Sequence, residues 1–404
     1  MSGSPTIVAI TFDRLNSLSR LLDSLLKANY NGHTNVRLII SIDGGGSKDV
    51  ITHSNSFAWP FGDKIVIKHQ KNLGLRNHVL SCGDLTSKWD EVIILEDDCI
   101  VGPEFYNFAV HALRFYNDDI RMAGISLYSY QVNEYAQLPF QPINNGYDNF
   151  FMQVPSSWGQ AWTKFQWSRF KNYYKDNMVI TDKDKLPETV KGWPESSWKK
   201  YFYKYIVEND LYVVYPFHSH TSNFSELGTH VQYDTSFLQV PLRLFAPHGG
   251  YHFQEFSESL NKFDAYFEID PKFLNLFGFN IQENFGMDLY GLKQLNLFSY
   301  NYVFSIKDCN NPIKKYDGRM FPLIQNLIFE LGGDFISFAK SEDFSSVEIN
   351  TKKKLLINTQ YFGFWSGFKA GMSEGVLQVQ HSNTYKLGTF LLKPFQIFKK
   401  KSKH

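Results

Sequence analysis

Residues 92–101 read VIILEDDCIV: an apolar run, then Glu96, Asp97 and Asp98 in succession, then apolar residues again. Adjacent carboxylates repel one another, and ionised carboxylates are seldom buried without a partner or a metal. Three acids at the end of an apparent strand therefore mean one of two things. The chain has reached solvent there, or something positive is held there. Runs of like charge are usually solvated, so the surrounding sequence has to decide.

Upstream lies an alternation of two patterns. TIVAIT at residues 6–11 is β-rich, and LNSLSRLLDSLLK at 15–27 has apolar residues at helical spacing. VRLIISI at 36–42 ends in Asp43-Gly44-Gly45-Gly46; KIVIKH at 64–69, a helix at 75–82 and a strand at 91–95 follow. Strands alternating with helices predict an α/β fold with a mostly parallel sheet, whose ligands bind beyond the carboxyl ends of the strands. Thr11 and Arg14 follow the first strand, Asp43 the second, Asn72, Gly74 and Arg76 the third, and the three acids the fourth. Four polar clusters at four strand ends predict one crevice. The DGGG run fits neither the GxGxxG nor the P-loop spacing.

At 404 residues with 43% hydrophobic content the chain has room for two or three domains and a sizeable core. A net charge of +1 argues against a generally basic, nucleic-acid-binding surface. The charge is unevenly placed, because residues 385–404 hold six lysines and no acid. Cys82, Cys99 and Cys309 fit no zinc or CxxC pattern, so a reducing, cytosolic compartment is expected. MSGSP runs into the first strand without the features of a signal peptide, and no apolar run is long enough to span a bilayer.

The ordered series IVAITFDR, helix, IISIDGGGS, KNLGLRNHVLSCGD and VIILEDDCIV resembles the nucleotide-binding half of GT-A glycosyltransferases. It is similar to the family 2 enzymes and to the N-acetylglucosaminyltransferase I type with its EDD motif. The resemblance covers residues 6–116 and continues more loosely to about 231. It implies a GT-A, Rossmann-like, mostly parallel sheet flanked by helices over 1–250, with a nucleotide-sugar half at about 1–116 and an acceptor half at about 117–250. A smaller α/β or α+β region at 251–383, for acceptor binding or dimerisation, and a basic tail at 384–404 would complete the chain.

The resemblance implies metal-dependent transfer of a sugar, with inversion, from a nucleotide-sugar donor, UDP-linked in the favoured case. The acceptor would be a glycan or a lipid-linked glycan in cell-surface polysaccharide synthesis. Mn²⁺ or Mg²⁺, hard cations that take oxygen ligands, would stabilise the departing diphosphate. By the family pattern Asp98 is the direct ligand, Asp97 lies near the ribose and Glu96 near the sugar. Asp43 accepts a hydrogen bond from the base, Arg14 and Arg76 contact phosphate or base, and Asn72 and Gly74 belong to the loop passing the nucleotide. Thr11 joins the same donor set.

On the acceptor side, SSWGQAWTKFQWSR at 156–169 supplies Trp158 and Trp162 as expected pocket walls, since aromatic faces suit the apolar faces of sugar rings. A general base must reach the acceptor hydroxyl. Many relatives carry an acid directly after the tryptophan of an S-W-D type segment, whereas Ser197-Trp198 is followed here by Lys199. Glu195 is the first candidate for the base and Glu226, in NFSELGTH, the second; failing both, another acid serves, the enzyme is retaining, or the activity is lost. Of His218, His220 and His230, His230 in the GTH triplet best fits a metal or diphosphate contact.

Leu387, Leu391, Phe395 and Phe398 follow helical spacing among the tail lysines, with a break at Pro394. A basic amphipathic helix of this kind suits an anionic membrane surface, the inner face of the cytoplasmic membrane in this reading; a disordered solubilising tail is the other reading. Two further classes stay open: a non-catalytic nucleotide- or carbohydrate-binding protein on a GT-A scaffold, and a sugar nucleotidyltransferase. The latter would show a Gly-rich basic loop where this chain has TFDRLNS.

Overall fold

Every residue of β1 (Thr6–Thr11) and β2 (Leu38–Ile42) is buried, as expected of strands covered on both faces by helices. The computed structural model describes residues 4–224, 238–282, 284–344 and 353. After β1 comes α1 (Leu15–Leu26), whose Leu18, Leu21, Leu22 and Leu25 recur at helical spacing and are all enclosed. Each such leucine contributes about 1.5–3 kcal/mol of hydrophobic stabilisation. Then follow α2 (Lys48–Ser56), capped by Ser47 Oγ accepting from the Val50 N–H, β3 (Lys64–Lys68), α3 (Gly74–Gly83), α4 (Thr86–Trp89) and β4 (Glu91–Glu96).

Beyond β4 the acids turn into β5 (Cys99–Val101), followed by α5 (Phe105–Phe115), β6 (Met122–Ser126), the short β7 (Val132–Asn133) and β8 (Leu138–Pro139), β9 (Asn149–Met152) and β10 (Gln160–Thr163). Helices α6 (Lys164–Asp176), α7 (Glu188–Lys191) and α8 (Trp198–Glu208) precede β11 (Tyr212–Pro216), β12 (Thr221–Asn223) and β13 (Lys262–Phe263). A capping box between Thr163 and Gln166 sets the sharp passage from β10 into α6.

These strands form a nine-stranded sheet in the order β13-β9-β11-β6-β10-β4-β1-β2-β3. Strands β3, β2, β1, β4, β6 and β11 run parallel, and β10, β9 and β13 run against them. This is the mixed α/β, mostly parallel, helix-flanked architecture expected of a GT-A-like fold. A second ladder pairs β12 with β5 directly beyond the acids. Because β13 supplies an edge strand, the sheet continues past residue 250, the expected limit of the first region.

The C-terminal part forms a smaller four-stranded sheet, order β14-β15-β17-β16, from β14 (Phe285–Asp288), β15 (Tyr302–Ser305), β16 (Lys314–Tyr316) and β17 (Ile336–Lys340), with α9 (Ile324–Ile328) before its last strand. Between the two sheets Pro271–Phe277 forms a 3₁₀ helix, with Pro271 at its start and the Asp270 side chain accepting from the Lys272 N–H. Tyr290 ties the two sheets together: its N–H donates to Glu268 Oε1 at 2.6 Å and its hydroxyl to the Pro139 carbonyl at 2.9 Å. One apolar cluster runs through both parts, from Ile7 to Ile336. LLINTQYFGFW at 355–365, which by sequence reads as a strand followed by a loop, and the tail at 384–404 lie outside the described residues.

Candidate active site

The parallel strands β1, β2, β3 and β4 end together, and the polar clusters that follow them meet. Thr11, the last residue of β1, donates its hydroxyl proton to Asp97 Oδ2 at 2.8 Å. The Arg14 guanidinium, at the start of α1, pairs with the other oxygen of Asp97 and lies 3.7 Å from Asp98 Oδ2. Asp43 accepts from the N–H groups of Gly44, Leu73 and Gly74 at 2.7, 2.8 and 3.0 Å. Its carboxylate thus clamps the loop after β3 onto the loop after β2. Gly74, at φ +71, supplies the left-handed residue that lets this loop enter α3. Asn72 Oδ1 accepts from the same Gly74 N–H, and the Arg76 guanidinium donates to the Glu195 carbonyl at 2.6 Å.

The electrostatics follow from burial. Burial opposes the charge of Arg14, but the carboxylates of Asp97, Asp98 and Glu96 outweigh it and raise its pKa. Burial, reinforced by its two acidic neighbours, pushes Glu96 up to about 8, against the opposing pull of Arg14 and Lys199. Although part of the Glu96 residue reaches the surface, its carboxyl is densely surrounded. Burial also raises Asp97, to about 6, with Arg14 and the Thr11 hydroxyl opposing it. Glu96 therefore carries a proton near neutral pH, while Asp97 has its two oxygens committed to Arg14 and Thr11. Asp98 keeps partial exposure, and its carbonyl accepts from the Phe224 N–H at 2.8 Å.

Among the described residues no set of three His, Cys, Asp or Glu side chains is disposed to ligate a metal. One partly exposed carboxylate, Asp98, still fits a hard divalent cation that draws its other ligands from a diphosphate. His230 and Glu226 lie outside the described residues. His220 is enclosed, stacked on Phe108 with ring centroids 4.6 Å apart, and burial drops it to about 3, which marks a core residue. Burial also lowers His218, which lies near Arg243 and Asp148.

The acceptor-side expectations divide. Trp158 is 9% exposed and packs edge-on to Tyr128 at 4.7 Å, with the Lys199 ammonium 5.4 Å from its ring centre. Trp162, 1% exposed, instead lies in the core against Trp167 and Trp198, with no face left for a ligand. Its position in β10, opposite Val92 of β4, turns it inward under α6 and α8. The Glu195 side chain is 73% exposed and engages Lys200 and Tyr201. Those bonds, Tyr201 first and Lys200 second, lower its pKa.

Sequence reasoning missed Glu134. Its Oε1 accepts from the Tyr130 hydroxyl and from Lys199 Nζ, each at 3.4 Å, and Lys199 also donates to the Tyr130 hydroxyl at 3.3 Å. Lys199 is 8% exposed, and Lys200 and Lys204 of the same helix are equally enclosed, each satisfied by carbonyls and carboxylates. The available signal was Lys199 itself, a cation where an acid was expected, which calls for a carboxylate from elsewhere.

These features define a mixed α/β protein whose acids and Arg14 gather at the carboxyl ends of the parallel strands. No family model matches the chain, and no curated protein sequence matches it. Among solved structures, the mannosyltransferase PcManGT from Pyrobaculum calidifontis in complex with GDP-Man and Mn²⁺ is 10% identical, over 43% of this chain and 47% of that one, with a TM-score of 0.31. S. aureus TarS 1–349 is 14% identical, over 52% of this chain and 59% of that one, with a TM-score of 0.33. The chain spans about half the length of each of these structures.

Proposed function

We propose that the chain is a glycosyltransferase that moves a sugar from a nucleotide-sugar donor, UDP-linked, to a glycan or lipid-linked acceptor in cell-surface polysaccharide synthesis. The observation that carries this reading is the meeting of four strand ends: Thr11 and Arg14 bonded to Asp97, and Asp43 bonded across to Gly74. A charged, preorganised crevice at the carboxyl ends of parallel strands is where such sheets bind nucleotides.

In this reading Asp98 holds Mn²⁺ or Mg²⁺, which when bound supplies positive charge to the leaving diphosphate. Arg14 adds a fixed charge beside the same phosphates, and Thr11 keeps Asp97 turned toward it. With its proton in place Glu96 donates a hydrogen bond to a sugar hydroxyl; ionised, it accepts one. Asp43 holds the loop of Asn72 and Gly74 against the base, and Arg76 stands at the loop's outer side. Trp158 and its tyrosine neighbours wall the acceptor side.

The work would take place at the inner face of the cytoplasmic membrane, with the lysine-rich tail as the contact. Among the described residues no helix is long and apolar enough to cross a membrane.

Calorimetric titration with UDP-, GDP-, CMP- and dTDP-linked sugars, with Mn²⁺, with EDTA and with Asp98→Ala, tests the reading. Metal-dependent binding of one series, lost in the variant, is the expected result. A folded protein that binds none of them refutes it.

A further inference from the structure

We propose that Glu134 is the carboxylate that takes the proton from the attacking hydroxyl, an inference that rests on the transferase reading. Glu134 sits in a tightly held turn. The enclosed Asn133 accepts at Oδ1 from the N–H groups of Tyr135 and Ala136 at 3.0 and 3.1 Å, and its carbonyl accepts from Gln137 at 2.8 Å. Asn133 Nδ2 donates to the Tyr266 carbonyl at 3.3 Å, which anchors the turn to the chain after β13. A side chain on such a turn is positioned before any ligand arrives, as a catalytic group requires.

The Glu134 side chain is 19% exposed, so it is neither sealed in the core nor free in solvent. Its neighbours are aromatic: Tyr130 donates to it, and its charge reaches the phenols of Tyr128, Tyr135, Tyr203 and Tyr215. Trp158 and Trp193 flank the lysine that pairs with it, their ring centres 5.4 and 5.3 Å from Lys199 Nζ. Tyr128, Tyr130, Tyr203 and Tyr215 are sealed in the core, whereas Tyr135 and Trp193 are half-buried with ring centres 6.3 Å apart, and these are the aromatic faces that a sugar ring presenting a hydroxyl can reach.

Lys199 joins this acid to the donor side. Its ammonium bonds Glu134, and its charge also favours the ionised form of Glu96 in the acidic triplet. The same ammonium lies 5.4 Å from the ring centre of Trp158, two residues before Gln160, which pairs with Ile94 two residues before Glu96. Glu195, the acid closest in sequence, is instead turned to Lys200 and Tyr201 at the surface. Lys199 is a positioning residue: it fixes Glu134 and moderates the repulsion between two groups of acids.

The step balances as a single displacement. The acceptor oxygen forms a bond to the anomeric carbon as its proton passes to a Glu134 oxygen. The bond from that carbon to the diphosphate breaks, and its electron pair leaves with the nucleoside diphosphate. Glu134 then returns the proton to solvent. With water as the acceptor the same step is donor hydrolysis, which can be followed without knowing the natural acceptor.

The test uses the full chain with the nucleotide sugar that binds in calorimetry, comparing wild type, Glu134→Gln, Glu134→Asp and Glu195→Gln. Donor binding is read by titration, nucleoside diphosphate release by chromatography, and, at enzyme concentrations high enough for hydrolysis to outrun mutarotation, the first-formed sugar anomer by NMR. Glu134→Gln is expected to bind donor within about threefold of wild type and to lose hydrolysis by ~10²-fold or more, the scale of general-base catalysis. Glu134→Asp recovers part of the rate, and the wild-type product has the inverted configuration. Undiminished hydrolysis in Glu134→Gln overturns the proposal, as does a loss confined to Glu195→Gln, a retained configuration, or a wild-type chain that binds donor and never hydrolyses it. Failure of every nucleotide sugar to bind would be a different result, because it removes the transferase reading itself.

Discussion

The Thr11 hydroxyl at the end of β1 and the Asp97 carboxylate after β4 share a 2.8 Å hydrogen bond across 86 positions of sequence. Both residues are buried, so this bond ties the end of β1 to the turn after β4 and holds Asp97 where Arg14 can reach it. Thr11→Val keeps the shape and removes the donor. It is expected to destabilise the fold by about 1–3 kcal/mol, the cost of a buried acceptor left short of a partner. Urea unfolding with an unchanged m-value checks it, and equal stability of the two chains would show that Asp97 finds another donor.

Glu96 makes stability depend on pH in a defined direction. Its folded pKa of about 8 lies above the ordinary 4.5, so between these values the folded chain holds a proton that the unfolded chain has released. Stability therefore falls as pH rises through that window, and the whole cost is present above 8. Asp97, raised from 3.8 to about 6, acts in the same sense at lower pH. Glu96→Gln has no such proton to lose. Its melting temperature is expected to match wild type below pH 4.5 and to exceed it by several degrees at pH 9, in ligand-free protein. Parallel pH profiles for the two chains would contradict this.

Arg14 acts as an internal cation among the acids, paired with Asp97 and 3.7 Å from Asp98. A divalent ion must bind against that charge, and a unit charge at about 4 Å is a large term at a partly buried site. Arg14→Met is therefore expected to tighten Mn²⁺ binding in the absence of nucleotide by about tenfold or more at pH 8. Loss of the free Mn²⁺ signal in electron paramagnetic resonance reads this directly. Unchanged or weaker binding would mean that Asp98 takes no part in holding the ion.

Gly44 is where the loops after β2 and β3 touch. A Cβ there would collide with the Lys71 backbone, which has no flexible end to move aside. Gly44→Ala must push the two loops apart and stretch the bonds from Leu73 and Gly74 to Asp43. A loss of about 1–3 kcal/mol in unfolding free energy, on the scale of overpacking, is expected, together with weaker nucleotide binding. Wild-type affinity in a destabilised Gly44→Ala would separate the loop from the donor site.

The two tryptophans offered by one segment should behave differently. Trp162→Ala empties a core position against Trp167 and Trp198 and is expected to cost about 3–5 kcal/mol. Trp158→Ala should cost less, because its ring is 9% exposed against 1% for Trp162 and lies beside the Lys199 ammonium rather than wholly among apolar rings. Thermal melts of the two variants compare them, and an equal loss would place Trp158 in the core as well.

Much of the first half was legible in sequence because its signals are local. The alternation of apolar strands with amphipathic helices placed β1, α1, β2, β3 and β4 within a residue or two. The rule that ligands gather at parallel strand ends brought Thr11, Arg14, Asp43 and the three acids to one edge. What sequence alone determined is therefore the periodic backbone and the chemistry at its strand ends.

Only the tertiary structure decided which way side chains on the later elements face. Trp158 and Trp162 are four residues apart in one motif, yet the antiparallel insertion of β10 between β4 and β6 seals Trp162, while Trp158, ahead of that strand, keeps 9% of its surface beside the Lys199 ammonium. Lys199, Lys200 and Lys204 are all enclosed because α8 packs inward; Lys200 and Lys204 find carboxylates and carbonyls within 25 positions, whereas the carboxylate for Lys199 comes from a distant segment. Glu134 is the acid that answers Lys199, and the two are 65 positions apart. A charge can be buried only where its partner already waits, and that pairing belongs to packing between elements rather than to the period within any one of them.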